Sequence, residues 1–148
     1  MWTLRRLAEL GVSKEYMLLV YESKIRVCVE QNSPLWMFSL TQELSKEIER
    51  LQKTSFFIIL GKNANYSYSH NLALLNSISL EERRQKLALK CAKNILRHPE
   101  HRKMFNFTKG NMRSGKQVII PTTKTTRYQN STIPSLGKLI NSKLAHRI

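Results

Sequence analysis

Apolar residues recur at helical rather than strand spacing through most of this chain. In "MWTLRRLAEL" the residues Trp2, Leu4, Leu7 and Leu10 form a short stripe. Gly11, which accepts a left-handed backbone, is placed to end it. Ser13 is placed to cap a second helix, in which Met17, Tyr21, Ile25 and Cys28 step by three or four residues along one face. Asn32, Ser33 and Pro34 stop that helix. "PLWMFSL" is a compact apolar connector, with Trp36 and Phe38 expected to fold back over the core. Ser39 with Gln42 reads as a capping box for a third helix. Its apolar face is Leu44, Ile48, Leu51, Ser55 and Ile58 or Ile59. The end of this stretch, "SFFIILG", has high strand propensity. The apolar phase nevertheless runs unbroken from Leu44, so helix is predicted up to Gly61.

After the polar loop "KNANYSYSHN", Ser67 is placed to cap a short helix carrying Leu72, Leu74 and Leu75. Ser79 with Glu82 is a second capping box. The helix it opens has Leu80, Leu87, Cys91 and Ile95 on its inner face. Pro99 ends it, and "EHRKMF" adds one turn with Phe105 packing back. From Asn106 the pattern changes: apolar residues thin out, and Gly, Ser, Thr, Asn and Lys dominate. The pattern predicts an all-α fold, a bundle of about four to five helices over residues 1–105. A basic, largely irregular tail over 106–148 follows, with one short helix near 134–141 opened by Pro134.

Charge adds a function class to this picture. The 148 residues carry 25 Lys and Arg against 10 acids, a formal charge of +15. Residues 1–105 hold 17 of the basic residues and all 10 acids, whereas 106–148 hold 8 basic residues and no acid. Such an excess favours a polyanionic partner, nucleic acid before an anionic membrane. Every acid is Glu, and the chain has no Asp. Polymerases and nucleases usually hold two metal ions on carboxylates that include Asp, so metal-dependent catalysis is not expected. No cofactor is expected either. Cys28 and Cys91 fall on predicted apolar faces and read as buried thiols. No apolar run approaches the ~18 residues of a membrane span. The N-terminus has no apolar h-region, so an intracellular chain, cytoplasmic or nuclear and not secreted, is expected. Without a secretory signal the N-x-S/T triplets at Asn65, Asn106 and Asn130 carry no weight.

The cations of "SLEERRQKLALKCAKNILRH" are not evenly spread. Arg83, Lys86, Lys90, Lys93 and Arg97 fall within an arc of about 80° and cover roughly 21 Å of helix axis. Lys46, Arg50 and Lys53 repeat the theme more weakly on the third helix. A solvated face would carry the same pattern. The functional reading is contact with nucleic-acid phosphates, steeply weakened by salt and with little sequence preference. Arg84 falls inside the apolar stripe, where a charge needs a partner; a Glu on a neighbouring helix is expected. Other chemistry is weak. His98 and His101 lack further ligands for a metal. "NMRSGKQ" lacks the first glycine and the preceding strand of a phosphate loop. Nothing groups Ser, His and acid into a triad. Tyr21, Trp36, Phe38, Tyr66 and Tyr68 are candidates for stacking on bases, though such residues more often serve as core or loop anchors.

The order of these pieces resembles the C-terminal part of reverse transcriptases from jockey-like non-LTR retrotransposons. That family carries L-x-x-L-G-V, matched by Leu7, Leu10, Gly11 and Val12. Its V-Y-x-x-x-I-R-x-x-x-E is matched by Val20, Tyr21, Ile25, Arg26 and Glu30, and its P-x-W by Pro34 and Trp36. Its I-E-R-x-Q is matched by Ile48, Glu49, Arg50 and Gln52. "SYSHNLALLNSISLEERRQKLALKCAKN" is similar to the following segment, and "TTRYQNSTIPSLGKLIN" to the tail end. The match departs from the family at "LLNSIS" and where Leu72 precedes Ala73. The resemblance implies a thumb-like helical unit beside a primer–template duplex of RNA, DNA or their hybrid, and a polymerase palm as partner. The family's paired catalytic Asp residues have no counterpart, so a polymerase fragment without its active site is implied. The alternative is a structural module that docks on another domain with no nucleic-acid role. An anionic-membrane binder ranks last, because the tail lacks a strong amphipathic helix with bulky aromatics.

Overall fold

The computed structural model describes residues 1–108 and 118–143, and over these the chain is all-α apart from one two-residue strand pair. Helices α1 (Trp2–Glu9) and α2 (Lys14–Val20) come first. A π-helical turn (Tyr21–Arg26) then runs straight into α3 (Val27–Glu30). The connector forms α4 (Ser33–Trp36) and a 3-10 turn (Met37–Ser39). The long α5 (Gln42–Leu60), the short α6 (Tyr68–Leu74) and the long α7 (Leu80–Arg97) follow, then α8 (Pro99–Arg102). Strands β1 (Asn106–Phe107) and β2 (Val118–Ile119) pair antiparallel, before α9 (Thr126–Gln129) and α10 (Thr132–Lys143).

The chain divides into two compact units, Met1–Gln31 with Thr41–Arg83, and Asn32–Leu40 with Arg84–Ile148. This differs from the expected single domain over 1–105 with an irregular tail over 106–148. The described part of that tail is built into a core: Leu136 and Ile140, one turn apart on α10, are buried with Ala92, Ile95, Phe105 and Val118. Few apolar residues suffice there because i and i+4 positions share one helix face. The Asn141 side chain pairs with Val118 on both sides, accepting from its N–H at 3.0 Å and donating to its carbonyl at 2.9 Å. The expected short helix is α10, longer at both ends than 134–141. Phe38 packs on this core as expected of a lid, and the Thr132 hydroxyl donates to the Leu35 carbonyl.

The core of the first unit is Leu4, Met17, Tyr21, Phe56 and Ile59. Tyr21 and Phe56 meet edge to face, with ring centroids 5.4 Å apart. Four sequence expectations are corrected here. Trp2 and Leu10, placed on the stripe of α1, are 74% and 76% exposed. Cys28 is exposed, because the π-helical turn before it winds with about one extra residue per turn and rotates it off the apolar face. The buried stripe of α5 is Gln52, Ser55, Phe56, Ile59 and Leu60, with Leu44 and Leu51 outside. The cap of α5 is Thr41, whose hydroxyl accepts from Leu44 N–H at 3.2 Å, rather than Ser39. "SFFIILG" is helical as expected, ending at Gly61 with φ of 55°.

Gln52 reaches the core of the first unit because every polar atom it carries is used. Its amide donates to the Ile78 carbonyl at 3.0 Å and accepts from Leu80 N–H at 3.0 Å and from the Tyr68 hydroxyl at 2.7 Å. Glu49 accepts from Glu81 N–H at 2.5 Å, and Ser79 from Glu82 N–H at 3.2 Å. Three consecutive N–H groups at the start of α7 thus find acceptors, two of them supplied by α5. A helix start otherwise leaves such donors unpaired.

Candidate nucleic-acid interface

Helix α7 carries Glu81 and Glu82 in its first turn and Arg97 in its last. That order complements the helix dipole, so part of the charge pattern serves the helix itself. The cations named from the sequence do not form one set. Arg83, Lys46, Arg50 and Lys53 belong to the first unit; Lys86, Lys90, Lys93 and Arg97 belong to the second.

Within the first unit, Arg83 is committed to Glu30. Its Nε and Nη2 both donate to that carboxylate, the Nη2 bond measuring 2.9 Å. Glu30 is 11% exposed and Arg83 30%. The Glu30 hydrogen bonds push the Arg83 guanidinium above its ordinary range, outweighing the opposing effect of burial. Sequence reasoning had Arg83 facing phosphates and expected Arg84 to meet a Glu. Arg83 makes a fork-shaped, two-point contact with Glu30, and Arg84 is buried at 3% exposure. Lys46 is exposed, Arg50 lies 3.6 Å from Glu47, and the Lys53 ammonium sits 5.0 Å from the centre of the Tyr68 ring.

Within the second unit, Lys86, Lys90, Lys93 and Arg97 are all exposed. Lys90, Lys93 and Arg97 meet no carboxylate of the described residues. Nearby, the Arg102 guanidinium lies 4.5 Å from the centre of the Phe107 ring. The Lys103 ammonium donates to Glu100 at 2.9 Å. His98 and His101 meet edge to face at 5.5 Å. Burial raises the Cys91 thiol above its ordinary range, which keeps it protonated at neutral pH. The contact of Arg102 with Phe107 escaped the sequence reading. Their only signal was their position around Pro99.

Of the aromatic residues named for stacking, Tyr21 is buried, Phe38 packs on the core of the second unit and Tyr68 is half-buried in hydrogen bonds. Tyr66 is fully exposed. Among the described residues no group of three or more His, Cys, Asp or Glu could hold a metal ion. Among them, too, no helix is long and apolar enough to cross a membrane. The segment "NMRSGKQ" lies outside the described residues. Comparison of the chain with protein-family models, with curated proteins and with solved structures finds no match.

Proposed function

We propose that this chain is a thumb-like, non-catalytic helical module, akin to that of non-LTR retrotransposon reverse transcriptases, which holds primer–template nucleic acid through phosphate contacts. The observation that carries this reading is the α7 face of Lys90, Lys93 and Arg97, exposed and unmatched by any described carboxylate. Lys86 extends it toward the start of the helix. The formal charge of +15 supports the same partner class. The lack of any Asp fits a module that leaves nucleotide chemistry to another domain. Binding through phosphates makes RNA, DNA and their hybrid comparable ligands.

The test is the affinity of the full chain for a fluorescent RNA–DNA hybrid across a salt titration. Each lost phosphate contact lowers the magnitude of the log–log salt slope by about 0.7–0.9. Replacing Lys86, Lys90, Lys93 and Arg97 by Gln together is expected to lower that magnitude by about 3. An unchanged slope in a variant that remains helical refutes the phosphate role.

A second reading has its own observation. In the first unit Trp2, Leu10, Leu19, Leu44 and Leu51 are exposed. They suit a packing module that docks on a polymerase palm or similar domain. Salt-promoted self-association without hybrid binding would favour this reading over the first.

A further inference from the structure

A groove in the second unit offers something phosphate contacts alone do not use. Viewed down α7, Lys86, Lys90, Lys93 and Arg97 occupy an arc of about 60°, and Leu87, Cys91 and Asn94 occupy the arc next to it. That second arc borders an open groove of about 450 Å³. The volume falls in the ~300–1,000 Å³ range of small-ligand clefts. Leu87, Ile95 and Met104 supply its apolar wall, and Lys90, Asn94 and His101 its polar edge. Neither the Asn94 amide nor the His101 ring hydrogen-bonds a described residue. The groove therefore joins an apolar surface, spare donors and acceptors, and a cation stripe.

Those three properties select among anionic ligands. An acyl chain would cover the apolar wall but strip water from the amide and imidazole without replacing it, which is costly. A nucleobase matches all three: a flat apolar face, a hydrogen-bonding edge and a phosphate on either side. We propose that this groove takes one unstacked nucleobase of a single-stranded or locally opened nucleic acid, with the flanking phosphates on Lys90 and Lys93. Asn94 meets the base edge, and Leu87, Ile95 and Met104 meet its face. The inference rests on the nucleic-acid reading above and adds to it a preference for an unpaired base.

The full chain would be titrated at low salt with a fluorescent oligothymidine and with an abasic strand of equal length. Both carry the same phosphates, and only the first carries bases. The thymidine strand is expected to bind about tenfold more tightly. Asn94→Ala and Met104→Ala replace exposed, uncharged side chains, and circular dichroism checks their folding. Each should cut thymidine affinity severalfold and leave abasic affinity unchanged. Equal affinity of wild type for the two strands overturns the groove and leaves the phosphate reading standing. Failure of both strands and of the hybrid to bind overturns both. Uptake by anionic vesicles that is lost in Asn94→Ala and Met104→Ala, without strand binding, would assign the groove to an amphiphile and also overturn the proposal.

Discussion

Tyr21 shows how a single atom can work against its surroundings. Its ring is buried against Phe56, yet among the described residues its hydroxyl has no hydrogen-bond partner. Removing the hydroxyl while keeping the ring should therefore be neutral or favourable. Tyr21→Phe is expected to raise unfolding stability by up to about 1 kcal/mol, since a buried hydroxyl without a partner costs roughly that or more. Loss of water around the phenol raises its pKa well above the ordinary value; Glu30 and Glu49 add to the rise, and Arg26 and Arg83 oppose it. The sign of the pH effect follows. Below about pH 10 the phenol is neutral in both folded and unfolded chains and does not alter the balance. Above it the unfolded chain releases a proton that the folded chain keeps, so stability falls at up to about 1.4 kcal/mol per pH unit. Denaturation of wild type and Tyr21→Phe between about pH 8 and 11 checks this: the two curves should separate further as pH rises. Parallel curves would mean the hydroxyl finds water or another partner.

At the scale of elements, the cations of α7 fall into two groups. Arg83 fastens the start of the helix to α3 through Glu30, whereas Lys90, Lys93 and Arg97 touch no described carboxylate. Arg83→Ala would leave the Glu30 carboxylate mostly buried and alone, at an expected cost of about 2 kcal/mol in stability. Its effect on the hybrid salt slope should be small, because an arginine held at two points has little freedom to meet a phosphate. A double-mutant cycle with Glu30→Gln is expected to give a coupling of about 1–2 kcal/mol; a value near zero would return Arg83 to the phosphate-binding set. The sequence made α7 itself legible as a helix, including its Ser79 cap, but its buried face is Leu80, Arg84, Ala88, Ala92 and Ile95, with Leu87 and Cys91 only partly covered. It also made "SFFIILG" legible as helix, where phase outweighed strand propensity. The Arg83–Glu30 contact was hidden because it joins residues 53 positions apart, which no periodicity records. Gln52 was hidden for a related reason. A polar residue in the buried stripe of α5 makes sense only once the Ile78 carbonyl, the Leu80 N–H and the Tyr68 hydroxyl converge on it. Cys28 leaves its expected face because the π-helical turn before it departs from the uniform 3.6-residue period. The groove beside α7 could not be read at all: it needs Met104 and His101 brought back across from α7 after Pro99.

For the whole molecule the dominant fact is a formal charge of +15 on 148 residues. Such a chain repels itself when folded, and added salt relieves that repulsion. Without ligand, the melting temperature should therefore rise as salt increases from about 50 to 200 mM. A bound polyanion reverses the sign. On the phosphate-binding reading, a saturating RNA–DNA hybrid at low salt would neutralise the excess charge and stabilise the folded state by mass action, by about 2.7 kcal/mol at a ligand concentration one hundred times Kd. Over the same salt range the hybrid loses affinity by orders of magnitude if six or more phosphates are engaged. With hybrid present the melting temperature should thus fall as salt rises, and the two curves should converge near the upper end. Opposite slopes from one protein are hard to obtain any other way. A packing module with an exposed apolar surface would give rising curves with and without hybrid, because salt strengthens apolar association and leaves no phosphate contact to lose. The melting experiment therefore separates the two readings of this chain without any substitution that could disturb its folding.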